Sequence, residues 1–412
     1  MNLNIETFEK RIHGVRTIYA KVPFTPNVHV RFISKAGSFA ENGANQGVAH
    51  YLEHMFFKGT DKRNLFDISD DAALLGARQN AYTGNYKVCY HLTGPSINYD
   101  GMAELLSDMM FNPVFPEDEI VKERTVIQEE RKSYEDNHGS FFFNTAGEHW
   151  FNFPFGHNIV GTEDTINSLT RDDFVNYRKD MYCLDNTIFL VVGSIGEEEV
   201  FNSCEKYFSE CNLNESAKTT MIKPFYINKN DYEFKRDGVQ QSFLMGIFEG
   251  DTLSEDTTEH SCMIDAIGNS MYSLLFKEVR EKLGLCYHIS SSQYIKTPNL
   301  GTNYIYSQLS EGNVDRAKQA IFNCFENVRQ EGFSDKQFQV SRASMLGAMC
   351  RGADSLNGIA EGISTKALFD LPFNFQSKYD RICNLSLDKV NECMRASIPS
   401  VDDVKWVTMN PE

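Results

Sequence analysis

The sequence predicts an α+β protein made of two homologous α/β sandwich domains, each an antiparallel-rich sheet covered by helices. Three observations carry that expectation. The chain has 412 residues, more than one core of roughly 100 to 200 residues usually organises. Its apolar residues alternate with period two in some stretches and recur at helical spacing in others. The order of these stretches in the first half then returns in the second, which is the signature of an ancient duplication, although shared helix-start chemistry would produce part of the likeness.

In the first half, Val28-His29-Val30-Arg31-Phe32-Ile33-Ser34 alternates as a strand does and runs into a turn at Gly37-Ser38. A helix is expected from Gly47 to Phe57, a strand through Tyr86 to Leu92, and a helix through Met102 to Phe111. Pro116, at a position that favours helix entry, introduces a long helix from Glu117 to Tyr134. A helix over Asp172 to Met181 and the apolar strand from Thr187 to Val192 close this half. Asn, Lys, Thr and Ser cluster without periodicity over 212–230, which reads as a linker between an N-terminal domain, 1–211, and a C-terminal domain, 231–412. The second half is expected to hold a strand from Gln241 to Ile247, one helix from Cys262 to Lys282 and a strand from Cys286 to Ile295. Helices from Asn313 to Arg329 and Asp335 to Cys350 follow. Leu385-Ser386-Leu387-Asp388 before Val404-Lys405-Trp406-Val407 mirrors Leu169-Thr170-Arg171-Asp172 and its strand, and Phe333-Ser334-Asp335 mirrors Phe115-Pro116-Glu117.

Composition excludes several classes of function. An apolar fraction of 41% and a charged fraction of 24% fit a folded globular protein. A net charge of −17, with no run of Lys and Arg, argues against nucleic-acid binding. No stretch approaches the roughly 18 apolar residues of a membrane span. The start, Met1-Asn2-Leu3-Asn4-Ile5-Glu6, lacks the basic and apolar pattern of a targeting segment, so the cytoplasm is the expected location. The ten cysteines are scattered without a C-x-x-C spacing, as in a reducing compartment.

The segment with chemical content is His50-Tyr51-Leu52-Glu53-His54. On a helix, residues four apart share a face, so His50 and His54 can reach one ion while Glu53 points beside them. Neutral imidazoles preserve the charge of a divalent ion, and a neighbouring carboxylate can take a proton from water. A plain solvated helix bearing two histidines would show the same letters. A catalytic zinc site needs a third protein ligand, and the long helix offers Glu123, Glu129, Glu130 and Glu135. Glu123 and Glu130 lie on one face two turns apart, whereas Glu129 is rotated about 100° away. One of the superposed pair can ligate while the other orients a histidine. Cys89 and His91 alternate on one strand face and read as sheet packing. His138, His149 and His157 fall in loops or helix ends, where backbone hydrogen bonding is the common use, and receive no role.

Taken with its context, this segment resembles the inverzincin metallopeptidases of the pitrilysin, insulin-degrading enzyme and mitochondrial processing peptidase group. The likeness is carried by Lys35-Ala36-Gly37-Ser38 and by Gly47 through Thr60, then by Asn80-Ala81-Tyr82-Thr83 and Glu123 through Glu130. It continues in Gly161-Thr162-Glu163, Leu169 through Asp173, and Phe276 through Tyr287. The resemblance implies His50, His54 and Glu130 as ligands of one zinc ion per chain, Glu53 as the base, and Glu123 as a supporting acid. It also implies Asn80, Ala81 and Tyr82 as a substrate-pairing edge strand, with Arg280 and Tyr287 holding the substrate carbonyl.

The activity so implied is that of a zinc metalloendopeptidase cutting internal bonds of short peptides or unstructured segments in an enclosed chamber. Family members close that chamber from four such units, so a chain with two implies a homodimer. Whether Arg280 and Tyr287 face the zinc of their own chain stays open. A second hypothesis is a non-catalytic scaffold or assembly subunit, and a third is a zinc hydrolase acting on something other than peptides. The second half contains no H-x-x-E-H, and Gly268-Asn269-Ser270-Met271 is short beside the long glycine-rich loop of the family's non-catalytic partner.

Overall fold

The structure, a computed structural model, describes residues 5–23, 25–217, 230–254 and 256–412. Its strands form two sheets. The first contains β1 (Glu6–Ile12), β2 (Val15–Lys21), β3 (Asn27–Ser34), β4 (Arg78–Thr83), β5 (Val88–Pro95) and β6 (Thr187–Gly193), in the order β1-β2-β6-β3-β5-β4. The second contains β7 (Tyr232–Arg236), β8 (Ser242–Glu249), β9 (Cys286–Thr297), β10 (Leu300–Leu309) and β11 (Lys405–Pro411), in the order β7-β11-β8-β10-β9. Without β1 the sheets have one topology. Strand β2 runs parallel to β6 as β7 does to β11, and every later pair in both sheets is antiparallel. The two halves are therefore homologous α/β sandwiches.

Period-two alternation divides the side chains of the first sheet between two cores. Val28, Val30, Phe32, Phe189 and Val191 pack against α1 (Val48–Met55), α2 (Leu65–Leu74), α3 (Tyr99–Phe111) and α4 (Glu117–Asp136). The same core takes in α6 (Glu163–Ser168), α7 (Arg171–Met181) and α8 (Glu197–Tyr207). In the second half, Leu244, Phe248 and Ile305 pack likewise against α9 (Thr258–Gly268), α10 (Val314–Glu331), α11 (Asp335–Ala353) and α14 (Leu387–Ser397).

The opposite faces are covered by exchange. Helix α5 (His138–Trp150) leaves its own half and lays Phe142, Ala146 and Trp150 on Phe243, Met245 and Ile247 of the second sheet. In return α12 (Leu356–Ala367) and α13 (Phe375–Cys383) cover Ile18, Ile33, Ile188 and Leu190 of the first. Strand β6 is buried at every position because both faces are covered, which explains its unbroken apolar sequence.

The helix expected as one piece from Cys262 to Lys282 is two. Helix α9 ends at Gly268, and a separate π-helical turn spans Phe276–Lys282. A Cβ on Gly268 would lie 2.5 Å from the Ser291 backbone nitrogen on β9, so the last residue of α9 has room only for glycine. The Asn269 amide makes the last helical bond, to the Asp265 carbonyl at 3.2 Å, and the chain then turns, with the Ser273 amide on the Ser270 carbonyl at 3.0 Å and the Tyr272 amide on Ser270 Oγ at 3.3 Å. Of the linker expected over 212–230, residues 218–229 lie outside the described residues. No helix among the described residues is long and apolar enough to cross a membrane.

Candidate metal centre

Helix α1 starts where Gly47 adopts a left-handed conformation, φ 88°. It packs between the first sheet and α4, burying Ala49, Tyr51, Leu52 and Met55. Its periodicity leaves one stripe, His50, Glu53 and His54, facing a cleft of about 790 Å³. The two imidazole rings stand 4.7 Å apart. From α4, Glu130 Oε2 lies 3.6 Å from His50 Nε2 and 3.7 Å from His54 Nε2. Among the described residues this is the one group of three His, Cys, Asp or Glu side chains close enough to hold an ion. Tetrahedral zinc bonds of about 2.0 to 2.2 Å place donor atoms roughly 3.3 to 3.6 Å apart, so the two imidazoles and the carboxylate fit zinc.

The other acids of α4 sort as helical geometry requires. Glu123, two turns before Glu130, sits 2.8 Å from His54 Nδ1 and also ion-pairs with Lys58. That contact leaves His54 Nε2 free to face Glu130. Glu129 points to solvent and pairs with Lys132 at 2.8 Å, and Glu135 pairs with Arg131.

The environments set the charges. Burial lowers the His50 imidazole to about 3, and nearby His54 adds to the effect, so the ring is neutral and able to donate a lone pair at ordinary pH. Burial pulls His54 the same way, but its bond to Glu123 and the surrounding carboxylates outweigh burial and raise it. Glu53, buried, is raised by desolvation, with Glu130 adding and the Thr83 hydroxyl and His54 opposing. Thr83 donates to Glu53 Oε2 at 2.5 Å.

Thr83 ends β4, which pairs only with β5 among the described residues and leaves its other edge open. Ala81, Tyr82 and Thr83 line the cleft beside the metal stripe, and Asn80 stands one residue farther back on the same edge. From the far side, Tyr82 donates to Glu361 Oε2 at 2.8 Å. The structure does not bring Arg280 or Tyr287 to this cleft. Tyr287 is 74% exposed, and the Arg280 guanidinium lies 4.3 Å over the Phe276 ring and 5.7 Å from the Tyr287 ring. The second-half side chain that does line it is Tyr294, its ring stacked on Phe151 at 5.8 Å. Sequence reasoning included Lys58 and Thr83 only within the segments that carry the resemblance and gave His157 no role, yet all three stand beside the site. Only Thr83 had a local signal, standing two residues from Ala81 and so on the same face of an edge strand.

Two imidazoles on one helix and a carboxylate on another, at an open sheet edge within a duplicated α/β sandwich, make a scaffold able to hold one divalent metal ion. Residues 16–163 match Insulinase (Peptidase family M16), and residues 168–345 match the Peptidase M16 inactive domain. This chain belongs to peptidase family M16. It is 31% identical over 337 residues to an uncharacterized zinc protease of Rickettsia felis, covering 80% of each chain. To the uncharacterized zinc protease YmxG of Bacillus subtilis it is 27% identical over 393 residues, covering 93% of each. The fold superposes on the crystal structure of a peptidase M16 inactive domain from Pseudomonas fluorescens with a TM-score of 0.89 at 18% identity, covering 99% of this chain and 98% of that one.

Proposed function

We propose that this protein is a zinc-dependent endopeptidase that hydrolyses internal bonds of short peptides or unstructured segments. The observation that carries the reading is the convergence of His50, His54 and Glu130 beside a buried carboxylate, Glu53, at an open strand edge. His50, His54 and Glu130 would hold one zinc ion per chain. That ion supplies Lewis acidity to the scissile carbonyl and to the attacking water.

The chain's own residues account for the remaining steps. Glu53 takes a proton from the attacking water and returns it to the leaving amine. Desolvation raises its carboxyl above the ordinary value, which makes it a stronger base. Thr83 keeps one Glu53 oxygen occupied, which leaves the other to face the reacting atoms. A peptide bound along Asn80, Ala81 and Tyr82 adds a strand to β4 by main-chain hydrogen bonds, which tolerates many sequences. The exposure of Tyr287, which does not line this cleft, supports a homodimer in which Arg280 and Tyr287 reach the partner's chamber. The ten cysteines, all free, suit a reducing compartment such as the cytoplasm.

The alternative is a non-catalytic scaffold. It has no need to retain three ligands, an ordered base and a supporting acid. Glu53→Gln separates the two readings: zinc content is retained while peptidase turnover falls by about 10²- to 10⁴-fold. Unchanged turnover on a fluorogenic peptide panel would remove Glu53 from the chemistry. A wild-type protein without zinc at neutral pH would restore the scaffold. Mixing Glu53→Gln with Tyr287→Phe chains tests the dimer, since only exchange of parts between copies restores activity.

A further inference from the structure

The helix that carries His50, Glu53 and His54 has no side-chain cap of its own, because its N-cap is Gly47. The work falls to a distant carboxylate. Glu41, 0% exposed, accepts from the Gly47 amide on Oε2 at 2.9 Å and from the Ala49 amide on Oε1 at 2.9 Å. These amides belong to the positive end of the helix, where a carboxylate is favoured. A carboxylate this deeply buried also needs a further partner. It has one in His157, whose Nε2 stands 2.6 Å from Glu41 Oε2.

The other ring nitrogen constrains the protons. His157 Nδ1 lies 2.7 Å from the Pro154 carbonyl oxygen, which can only accept, so Nδ1 carries a hydrogen. A neutral ring would then present a bare lone pair from Nε2 to the carboxylate. At 2.6 Å that contact requires a proton between them, so the pair holds a shared proton in addition to the one on Nδ1.

The rest of the 153–161 loop is pressed onto the same helix end. A Cβ on Gly47 would fall 2.3 Å from the Val160 carbonyl oxygen, and one on Gly161 would fall 2.5 Å from that of Gln46, so the two backbones touch directly. Phe39 and Phe155 pack 4.5 Å apart beside them. His157 itself lines the metal cleft.

We propose that Glu41 and His157 are positioning residues that set the placement of α1 against α4, and with it the geometry of the His50, His54 and Glu130 donor set. This rests on the metal reading above. Helix α1 is eight residues long, little more than two turns. Ala49, held by Glu41, directly precedes His50, while Tyr51 and His54 tie the helix to α4 through the Ile120 carbonyl and Glu123, so a shift at the capped end turns the stripe about those contacts and moves His50 relative to Glu130.

Cobalt(II) titration tests this through visible absorption bands that report donor geometry without any turnover. The proteins compared are wild type, Glu41→Gln, His157→Phe and His157→Gln. Glu41→Gln and His157→Phe are expected to bind cobalt about 10- to 100-fold more weakly, with altered bands. At saturating zinc their kcat should fall while KM stays within about twofold. His157→Gln keeps an N–H for Glu41 and should recover most of the affinity that His157→Phe loses. Wild-type cobalt affinity and bands in both Glu41→Gln and His157→Phe, with only the melting temperature reduced, would overturn the inference. If Glu41→Gln does not fold, the two His157 variants decide it. Failure of the wild type to bind cobalt or zinc would remove the metal reading itself and this inference with it, a different result from metal binding that ignores the pair.

Discussion

The two halves share strand order and sense, yet among the described residues only one presents a donor set. Helix α4 begins at Glu117 and α11 at Asp335, and each follows its mirrored lead-in, Phe115-Pro116 or Phe333-Ser334. Counted from those starts, Glu123 and Glu130 of α4 correspond to Ser341 and Ala348 of α11. The helix after the equivalent strand differs in the same way. Where α1 turns His50, Glu53 and His54 to a cleft, α9 buries His260 at 1% exposure, 3.3 Å from Asn303 Oδ1. Architecture therefore supplies a place for a site, and the choice of a few side chains on two facing helices determines whether anything can bind there.

The sharpest way to break this comparison is to give the first half the second half's residue. Glu130→Ala, which copies Ala348, should reduce bound zinc to a small fraction of one per chain. Peptide hydrolysis should fall on the order of 10³-fold or more, as checked by elemental mass spectrometry and a fluorogenic peptide. Retention of both zinc and activity would place the third ligand elsewhere. The reverse change, Ala348→Glu, should add no metal, because α9 supplies no paired imidazoles.

The exchanged helices sharpen the comparison from the opposite faces. The α5 interface is aromatic and buried, with Phe142 0% exposed and 5.6 Å from the Phe243 ring. Phe142→Ala should cost about 3 to 5 kcal/mol in urea unfolding. A loss below about 1 kcal/mol would mean that α5 contributes little to joining the halves.

The α12 interface adds charge. Fully buried Arg31 donates to Glu361 Oε2 at 2.8 Å and to Asn357 Oδ1 at 2.6 Å, and Lys87 pairs with Glu361 from the other side. Glu361 thereby holds Tyr82 and the cleft strand from behind. Ionic contacts of this kind add little net stability and can impose orientation.

The smallest expected effect is a pH dependence. Burial would raise the Glu361 carboxyl, but Lys87 and Arg31 outweigh it and hold the group at about 2, below its ordinary 4.5. A depressed folded value means that the ionised group stabilises the fold fully above about pH 4.5 and loses that contribution as pH falls towards 2. Glu361→Gln should therefore be less stable than wild type at pH 7, and the gap should narrow on acidification. A constant difference in melting temperature across that range would show that Glu361 does not titrate as its partners imply.

Local signals account for much of what could be read in advance. The H-x-x-E-H spacing, the Pro116 entry and the superposition of Glu123 on Glu130 are properties of one helix at a time, and the strands β3 and β6 follow from alternation and apolar runs. Features that depend on a distant surface were not legible. The close approach of β9 to Gly268 at the end of α9 joins residues far apart in the chain. Helix α12 has a sequence whose partner face lies more than three hundred residues away at Arg31. His157 has no sequence relation to Glu41, and its place over the α1 terminus arises only when two glycine backbones meet.

By itself the sequence determined which helices carry donors, which face of each they occupy, and that the plan is repeated. The reason is that helical and strand periodicities act over a few residues, where neighbours along the chain are neighbours in space. Tertiary structure alone decided the meeting of α1 with α4, the crossing of α5 and α12 between halves, and the placing of Tyr287 away from its own cleft. Those depend on which surfaces exclude water together, and burial is a property of packed elements that no short stretch of chain encodes.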